Sequence, residues 1–450
     1  MINGTISAAV QLAEPISSPV GMMDLLHTLF PLPRSLTGDG VRETLSIIKD
    51  HIPLTIHEIP TGTKVFDWEV PQEWNIRGAT IKTMDGKTLV DFGDNNLHVV
   101  GYSIPVNGTF SREELTRHIH TLEDQPDVIP YRTSYYASNW GFCLPHSLWM
   151  SMQDDYYRVE IDTTLADGSL TYGEFFLPGQ TAEEVLISVH ICHPSLANDN
   201  LSGIAVAVAL AAERVRQRES TANNAQLGLR VLFVPATIGS ITWLAQNEPK
   251  LGRVRHGLVL TCVGDAGPFH YKKCRSEAAI DQIVTHVLEH ANLKYEVVDF
   301  SPYGYDERQY GSPAIDMPVG CLMRAVHGTF PEYHTSLDNL DFINEAALIA
   351  SLGVVREVVS ICDRDRVYER IDGRGEPQLG RRGLYRAIAG QRDAGGPSQM
   401  DLLWVLNLSD GSHSIFDIAE RAGIPFLRAW AATQICLQAD LIKEVSHARR

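Results

Sequence analysis

The feature that most restricts the fold of this chain is a regular alternation of short apolar runs and longer helical patterns between Gly173 and Arg366. Val185–Val189, Leu227–Val234, Gly257–Val263 and Pro318–Met323 read as buried strands. Leu201–Arg218, a segment beginning near Gly239, Glu277–Ala291 and Glu345–Cys362 read as helices. Strands this apolar have both faces covered, which in a strand–helix alternation means an α/β layer with a mostly parallel sheet.

The flanking sequence has other textures. Residues 1–20 read as a loose leader. Pro31–Gly40 is turn-rich and feeds a helix marked by Val41, Leu45, Ile48 and Ile52. From Val65 to Met150, short alternating runs between Asp-Gly and Gly-Asp turns read as a β-rich module, ending in the aromatic stretch Tyr131–Phe142. A Gly/Arg-rich linker, Gly373–Gly396, precedes three short helical patterns, the last two reading as helix–turn–helix. The expected divisions are 20–64 and 156–368 for the main domain, 65–155 for an inserted β-rich domain and 372–450 for the tail.

Composition narrows the function. With 38 Lys+Arg against 55 Asp+Glu, the net charge of −17 argues against nucleic acid or an anionic membrane as main partner. The seven cysteines are scattered and never form CxxC pairs, which fits a reducing compartment and neither a disulfide framework nor a cysteine zinc cluster. The first thirteen residues carry no Lys or Arg and no signal peptide is read; the longest apolar run, around Ile204–Ala212, is too short to span a bilayer. A cytoplasmic location is expected.

The strongest chemical constellation is His190-Ile-Cys192-His193-Pro-Ser-Leu-Ala-Asn198-Asp199-Asn200. The apolar run before it puts His190 at the carboxyl end of a strand and Asp199 in the turn before a helix, where ligands of open α/β sheets gather. Neutral imidazole and carboxylate are suitable zinc ligands. The plainer reading makes Asp199 a helix N-cap and His190 a buried, satisfied histidine. His334, in Glu332-Tyr-His-Thr-Ser-Leu-Asp338, suits a third ligand with Asp338 orienting its ring, or is an exposed loop residue. Asp306, Glu307 and Arg308 supply a ligand, a carboxylate base or an anchor for a substrate carboxylate, or form a solvated ion-paired loop. Asp265 ends a strand at the same sheet edge, and Cys192 reads as a small buried thiol.

Together these spacings resemble the zinc aminopeptidases of the transferrin-receptor-like superfamily, with His190, Asp199 and His334 on the metal-ligand positions. A closer resemblance is to bacterial aminopeptidase-like proteins often found near polysaccharide-biosynthesis genes. Arg34-Ser-Leu-Thr-Gly-Asp-Gly40, Trp140-Gly-Phe-Cys-Leu144, His190-Ile-Cys-His-Pro194, Gly239-Ser240, Asp306-Glu-Arg-Gln309 and the His334 loop carry it. It implies an α/β/α sandwich with an inserted β-rich module and a C-terminal winged helix. It also implies zinc, and a small-molecule or peptide-like substrate. In that frame Tyr135, Tyr136 and Trp140 wall the pocket, and Arg34, His193, Asp265 and Arg308 contact substrate. The departures are as informative. Cys192 stands for the Asp that orients the first His. Thr237 stands for a ligand Glu, and the second metal's Asp falls near Thr261, with Asp265 as a shifted candidate, which together argue for one ion rather than two. Ala236 stands for the general-base Glu, either as a natural variant or as an inactivating Glu→Ala substitution. Loss of the base costs roughly 10²–10⁴-fold in rate.

Residues 371–450 carry 10 Lys+Arg and 9 Asp+Glu, and the would-be recognition helix presents a single Arg428. A DNA reader needs several cations, so packing, partner docking or self-association through the tail is expected instead. Three functions stay open: a zinc hydrolase of an amide or peptide-like bond, a silent metal-containing binding module, and a DNA-linked regulator.

Overall fold

The computed structural model describes residues 21–220, 225–384 and 397–445. The leader over 1–20 and the linker segment 385–396 lie outside the described residues. The described residues divide into two compact units, one of 21–220, 225–281 and 294–355, the other of 282–293, 356–384 and 397–445.

The first unit is built on an eight-stranded sheet. Across it run Thr55–Pro60, Ser169–Leu177, Gly228–Val234, Glu184–His190, Val254–Leu260, Val319–Met323, Phe269–Lys272 and Tyr295–Val298. The central four are parallel to one another, with His190 in register with Val234 and Ser188 with Val259. Every residue of Glu184–His190 is buried, as expected of an apolar strand covered on both faces, with only Ser188 interrupting the run Val185–Val189. The helix Gly203–Ser220 starts with Ile204–Ala211 almost wholly buried, because small and β-branched residues there let it lie close on the sheet. The sheet is completed by flanking strands that the sequence reading left out: Thr55–Pro60 and Ser169–Leu177 pair antiparallel on one side, and on the other Phe269–Lys272 joins antiparallel and pairs parallel with the edge strand Tyr295–Val298.

A second, four-stranded antiparallel sheet orders Thr88–Asp91, Glu73–Thr83, Tyr156–Ala166 and Val106–Ser111. Tyr157, Val159 and Ile161 face its core with Ile81, Phe142 and Trp149, while Arg158 and Glu160 face out. This small sheet therefore runs on to Ala166, past the boundary drawn at 155.

In the other unit, Val367–Arg370 lies between Asp410–Ser414 and Ile442–Glu444, with helices Gln399–Leu408, Ile415–Ala422 and Phe426–Gln438. Ser398 and Ser414 begin the first two helices with reciprocal caps to Asp401 and Asp417, and Gly423 (φ 63°) ends the second in the left-handed conformation before Pro425. This is a winged helix. No described helix is long and apolar enough to cross a membrane.

Candidate metal centre

His190 closes its strand, and the chain turns back through His193 to a kink at Asp199 (φ −109°, ψ 80°) before the helix at Gly203. Asp199 is not a helix cap. Its carboxylate is fully buried and ringed by imidazoles. His190 Nε2 lies 2.9 Å from Oδ1, His334 Nε2 lies 3.1 Å from Oδ2, and His193 Nδ1 lies 3.9 Å from Oδ2. His190 Nε2 and His193 Nδ1 stand 3.0 Å apart. The approach of His190 to Oδ1 is off the line of a hydrogen bond, so that buried oxygen has no hydrogen-bond partner. A buried anionic oxygen left unpaired among imidazole nitrogens is costly alone and fits a cation. Burial would push the Asp199 carboxyl up, but His193 and His190 hold it well below the usual carboxylate range. Burial holds His193 well below the ordinary imidazole value against the pull of Asp199, so its ring is neutral and able to ligate.

The turn is fixed from behind. Asn200 Nδ2 donates to the Leu260 carbonyl (2.9 Å) and stands 3.3 Å from His190 Nδ1, while its Oδ1 accepts from the Gly203 N–H. Asn200 thus takes the place beside the first His that the resemblance gives to position 192. Cys192 instead turns its thiol to the Ala236 carbonyl (3.8 Å), and burial pushes that thiol up to about 12, leaving it inert. The sequence reading had Asp338 orient the His334 ring, and the structure gives it another task. Its oxygens accept the backbone N–H groups of Asn198 (2.6 Å) and Asp199 (2.9 Å), so it is the brace of the kink. Burial pushes the Asp338 carboxyl up to about 7, against the pull of those N–H groups.

His334 reaches the site from a left-handed position (φ 54°). Its loop is stitched to the inserted module: the Tyr131 N–H donates to the His334 carbonyl (2.7 Å), the Ser336 N–H to the Ile129 carbonyl (2.8 Å), and the Ile129 N–H to Ser336 Oγ (3.0 Å). Aromatic rings enclose the imidazoles. Tyr305 stacks on His190 at 5.1 Å and Tyr333 on His334 at 4.0 Å. Tyr131 meets His193 and His334 edge-on, each at 5.1 Å. The sequence reading gave none of these three tyrosines a role.

Several expected substrate contacts are corrected. Trp140 stacks on His118 at 3.6 Å and packs with Phe110 in the core of the small sheet, and so does not wall the site. Tyr136 is exposed, edge-on to Trp68 at 5.6 Å, while Tyr135 hydrogen-bonds Tyr131 through its hydroxyl (3.0 Å). Arg34 is 2 % exposed, with its Nη2 buried and left without a hydrogen-bond partner. Its Nε donates to the His193 carbonyl (3.0 Å) and its Nη1 to that of Leu29, tying one backbone segment to the other. Asp265 accepts from the N–H groups of Gly267 and Ala325 and from Asn198 Nδ2 (2.9 Å); it holds loops together and has no oxygen to offer an ion. Glu307 forms a buried ion pair with Lys272, which takes it out of reach as a base. Asp306 is wholly buried, with Oδ1 accepting from Ser240 Oγ (2.8 Å) and Oδ2 without a partner; burial pushes it up to about 6. Arg308 is half-buried and donates to the Tyr305 carbonyl (3.3 Å). Ala236 is half-buried, two residues beyond Val234, whose register partner is His190. Thr261, near the second-ion position, is buried and donates to Cys262 Sγ (3.6 Å).

Comparison with known proteins agrees with this architecture. Residues 23–365 match the family described as a domain of unknown function, DUF4910, and residues 366–444 match a winged helix-turn-helix. A Clostridium acetobutylicum protein, provisionally named for polysaccharide biosynthesis and for an aminopeptidase-like domain, is 47% identical over 426 residues, covering 94% of this chain and 96% of its own. A crystal structure from the same organism, provisionally titled a peptidase, superposes with a TM-score of 0.88 at 45% identity, covering 94% of this chain and 96% of that one. A zinc aminopeptidase from Bacillus subtilis has a TM-score of 0.55 at 11% identity, covering 77% and 96%, which shows the shared fold.

Proposed function

Because this chain belongs to the DUF4910 family, with an aminopeptidase-like fold and a winged helix behind it, we propose that it is a metal-dependent hydrolase of an amide or peptide-like bond. The observation that carries the reading is the convergence of His190, His193 and His334 on the buried carboxylate of Asp199, whose Oδ1 has no hydrogen-bond partner. The bound ion, zinc by the chemistry of this donor set, would polarise the scissile carbonyl and make water acidic.

The chain's own residues do the rest. His190 and Asp199 are held by Asn200 and Asp338 and carry the ion's position. Tyr131, Tyr305 and Tyr333 limit water around the imidazoles. The aminopeptidase-like relatives of the resemblance place a Glu base where this chain has Ala236, and Asp306, bonded through Oδ1 to Ser240, is a buried carboxylate with Oδ2 left over. Restoring the base tests the reading. Ala236→Glu is expected to raise zinc-dependent hydrolysis of small peptides or acylated amino acids and sugars by about 10²–10⁴-fold. No hydrolysis by the Glu form across those amides, with zinc bound, would leave the second reading, a silent metal-bearing binding module that Ala236 favours. A DNA role is opposed by Arg428, whose guanidinium is spent on Asp401 (2.7 Å) within the tail.

A further inference from the structure

His193 was expected to touch substrate, and its surroundings assign it another task. Its side chain is 13% exposed, covered by the edges of Tyr131 and of His334, each at 5.1 Å, so little of the ring faces an incoming molecule. Its backbone is pinned by Arg34 through the His193 carbonyl. What the ring does face is a set of ligand atoms. His193 Nδ1, His190 Nε2 and an oxygen of Asp199 all lie within 4.8 Å of one another. With bonds of about 2.0–2.2 Å to zinc, ligand atoms of a tetrahedral site stand roughly 3.3–3.6 Å apart. The observed separations, 3.0 Å between the two nitrogens, 2.9 Å from His190 Nε2 to Oδ1 and 3.9 Å from His193 Nδ1 to Oδ2, bracket that spacing around the two oxygens of the one carboxylate.

We propose that His193 ligates a single ion through Nδ1, together with His190 Nε2 and Asp199. It thereby supplies a nitrogen in place of carboxylates this chain lacks. Two imidazoles and one carboxylate, with His334 next to the same carboxylate, make a nitrogen-rich site that selects zinc or cobalt over magnesium or manganese. The inference rests on the metal dependence proposed above but not on hydrolysis.

The test exploits the use of the near ring nitrogen. In His193→Cys, Sγ is one bond from Cβ where Nδ1 is two, so sulfur takes nearly the same place. Loaded with one cobalt per chain, that variant is expected to show a near-ultraviolet sulfur-to-cobalt charge-transfer band that the cobalt-loaded unaltered chain lacks. His193→Ala is expected to lose at least about 100-fold in zinc affinity by chelator competition, more than the orienting partner of a ligand costs. Cobalt bound at one per chain without the band, or zinc bound by the folded His193→Ala as tightly as by the unaltered chain, overturns the assignment. If either variant fails to fold, competition on the unaltered chain decides: one zinc displaced by neither magnesium nor manganese is expected, and two ions per chain, or magnesium bound as tightly as zinc, refutes it. Failure to bind any ion refutes the metal-dependent hydrolase as well, whereas absence of hydrolysis alone leaves His193 in place.

Discussion

The brace behind Asp199 gives a prediction whose size follows from two distances. Asp338, fully buried, accepts the Asn198 N–H at 2.6 Å and the Asp199 N–H at 2.9 Å. Asp338→Asn keeps the shape but offers one acceptor oxygen and an amino group, so one backbone N–H must face another donor. Above about pH 8, where a carboxyl raised to about 7 is ionised, one charge-assisted bond becomes an ordinary one, and the other becomes an unsatisfied buried donor. At about 1.5–3 kcal/mol for a bond to a charged group and about 1–3 kcal/mol for an orphaned one, the expected cost is roughly 2–4 kcal/mol. In a unit this large that lowers the thermal midpoint by on the order of 5 °C. The same change loosens the backbone that aims the Asp199 carboxylate, so zinc affinity falls by about 10–100-fold, as expected for a supporting contact. Differential scanning fluorimetry and chelator competition read the two effects. An unchanged midpoint together with zinc affinity within twofold would refute the view that Asp338 shapes the kink.

Two further outcomes follow from ion pairs away from the site, Glu307 with Lys272 and Glu174 with His57 and Arg230. Glu307→Gln strands Lys272 in the interior, and a loss of about 3–5 kcal/mol in stability is expected with unchanged zinc affinity; a normal melting curve would show that the pair does not hold the fold. Burial would pull the Glu174 carboxyl up, but His57, Arg230 and Trp243 hold it at about 2, below its ordinary 4.5. A carboxyl depressed on folding stabilises above the ordinary value and loses that contribution as pH falls toward 2, here roughly 3 kcal/mol in all. Glu174→Gln should therefore flatten the melting midpoint between about pH 5 and 2, and an unaltered acid limb would exclude the network as its source.

What could be read in the sequence follows from what repeats along it. Glu184–His190 declares itself because every residue is buried and apolar runs mark its parallel neighbours. The small sheet's last strand was just as periodic, with Tyr157, Val159 and Ile161 inward, but it begins one residue beyond the boundary drawn at 155. His190, Asp199 and His334 were named from local motifs, and the structure brings them together. The failures share a cause. Which way Asp338, Arg34, Trp140 or Asp265 turns is decided by partners such as the Asn198 N–H, the His193 carbonyl, the His118 ring and Asn198 Nδ2, and no spacing encodes those encounters. The neutral, enclosed ring of His193 is likewise a product of burial.

The seam between Ile129–Tyr131 and the His334 loop changes what the inserted module means for this architecture. A side domain hung from a catalytic scaffold is normally expendable. Here it acts as a buttress: pruning the insertion back to a simpler aminopeptidase-like outline would free the segment that carries the last imidazole. Any lineage that shed the module would have to find a new way to hold His334, so the two should be kept or lost as a pair.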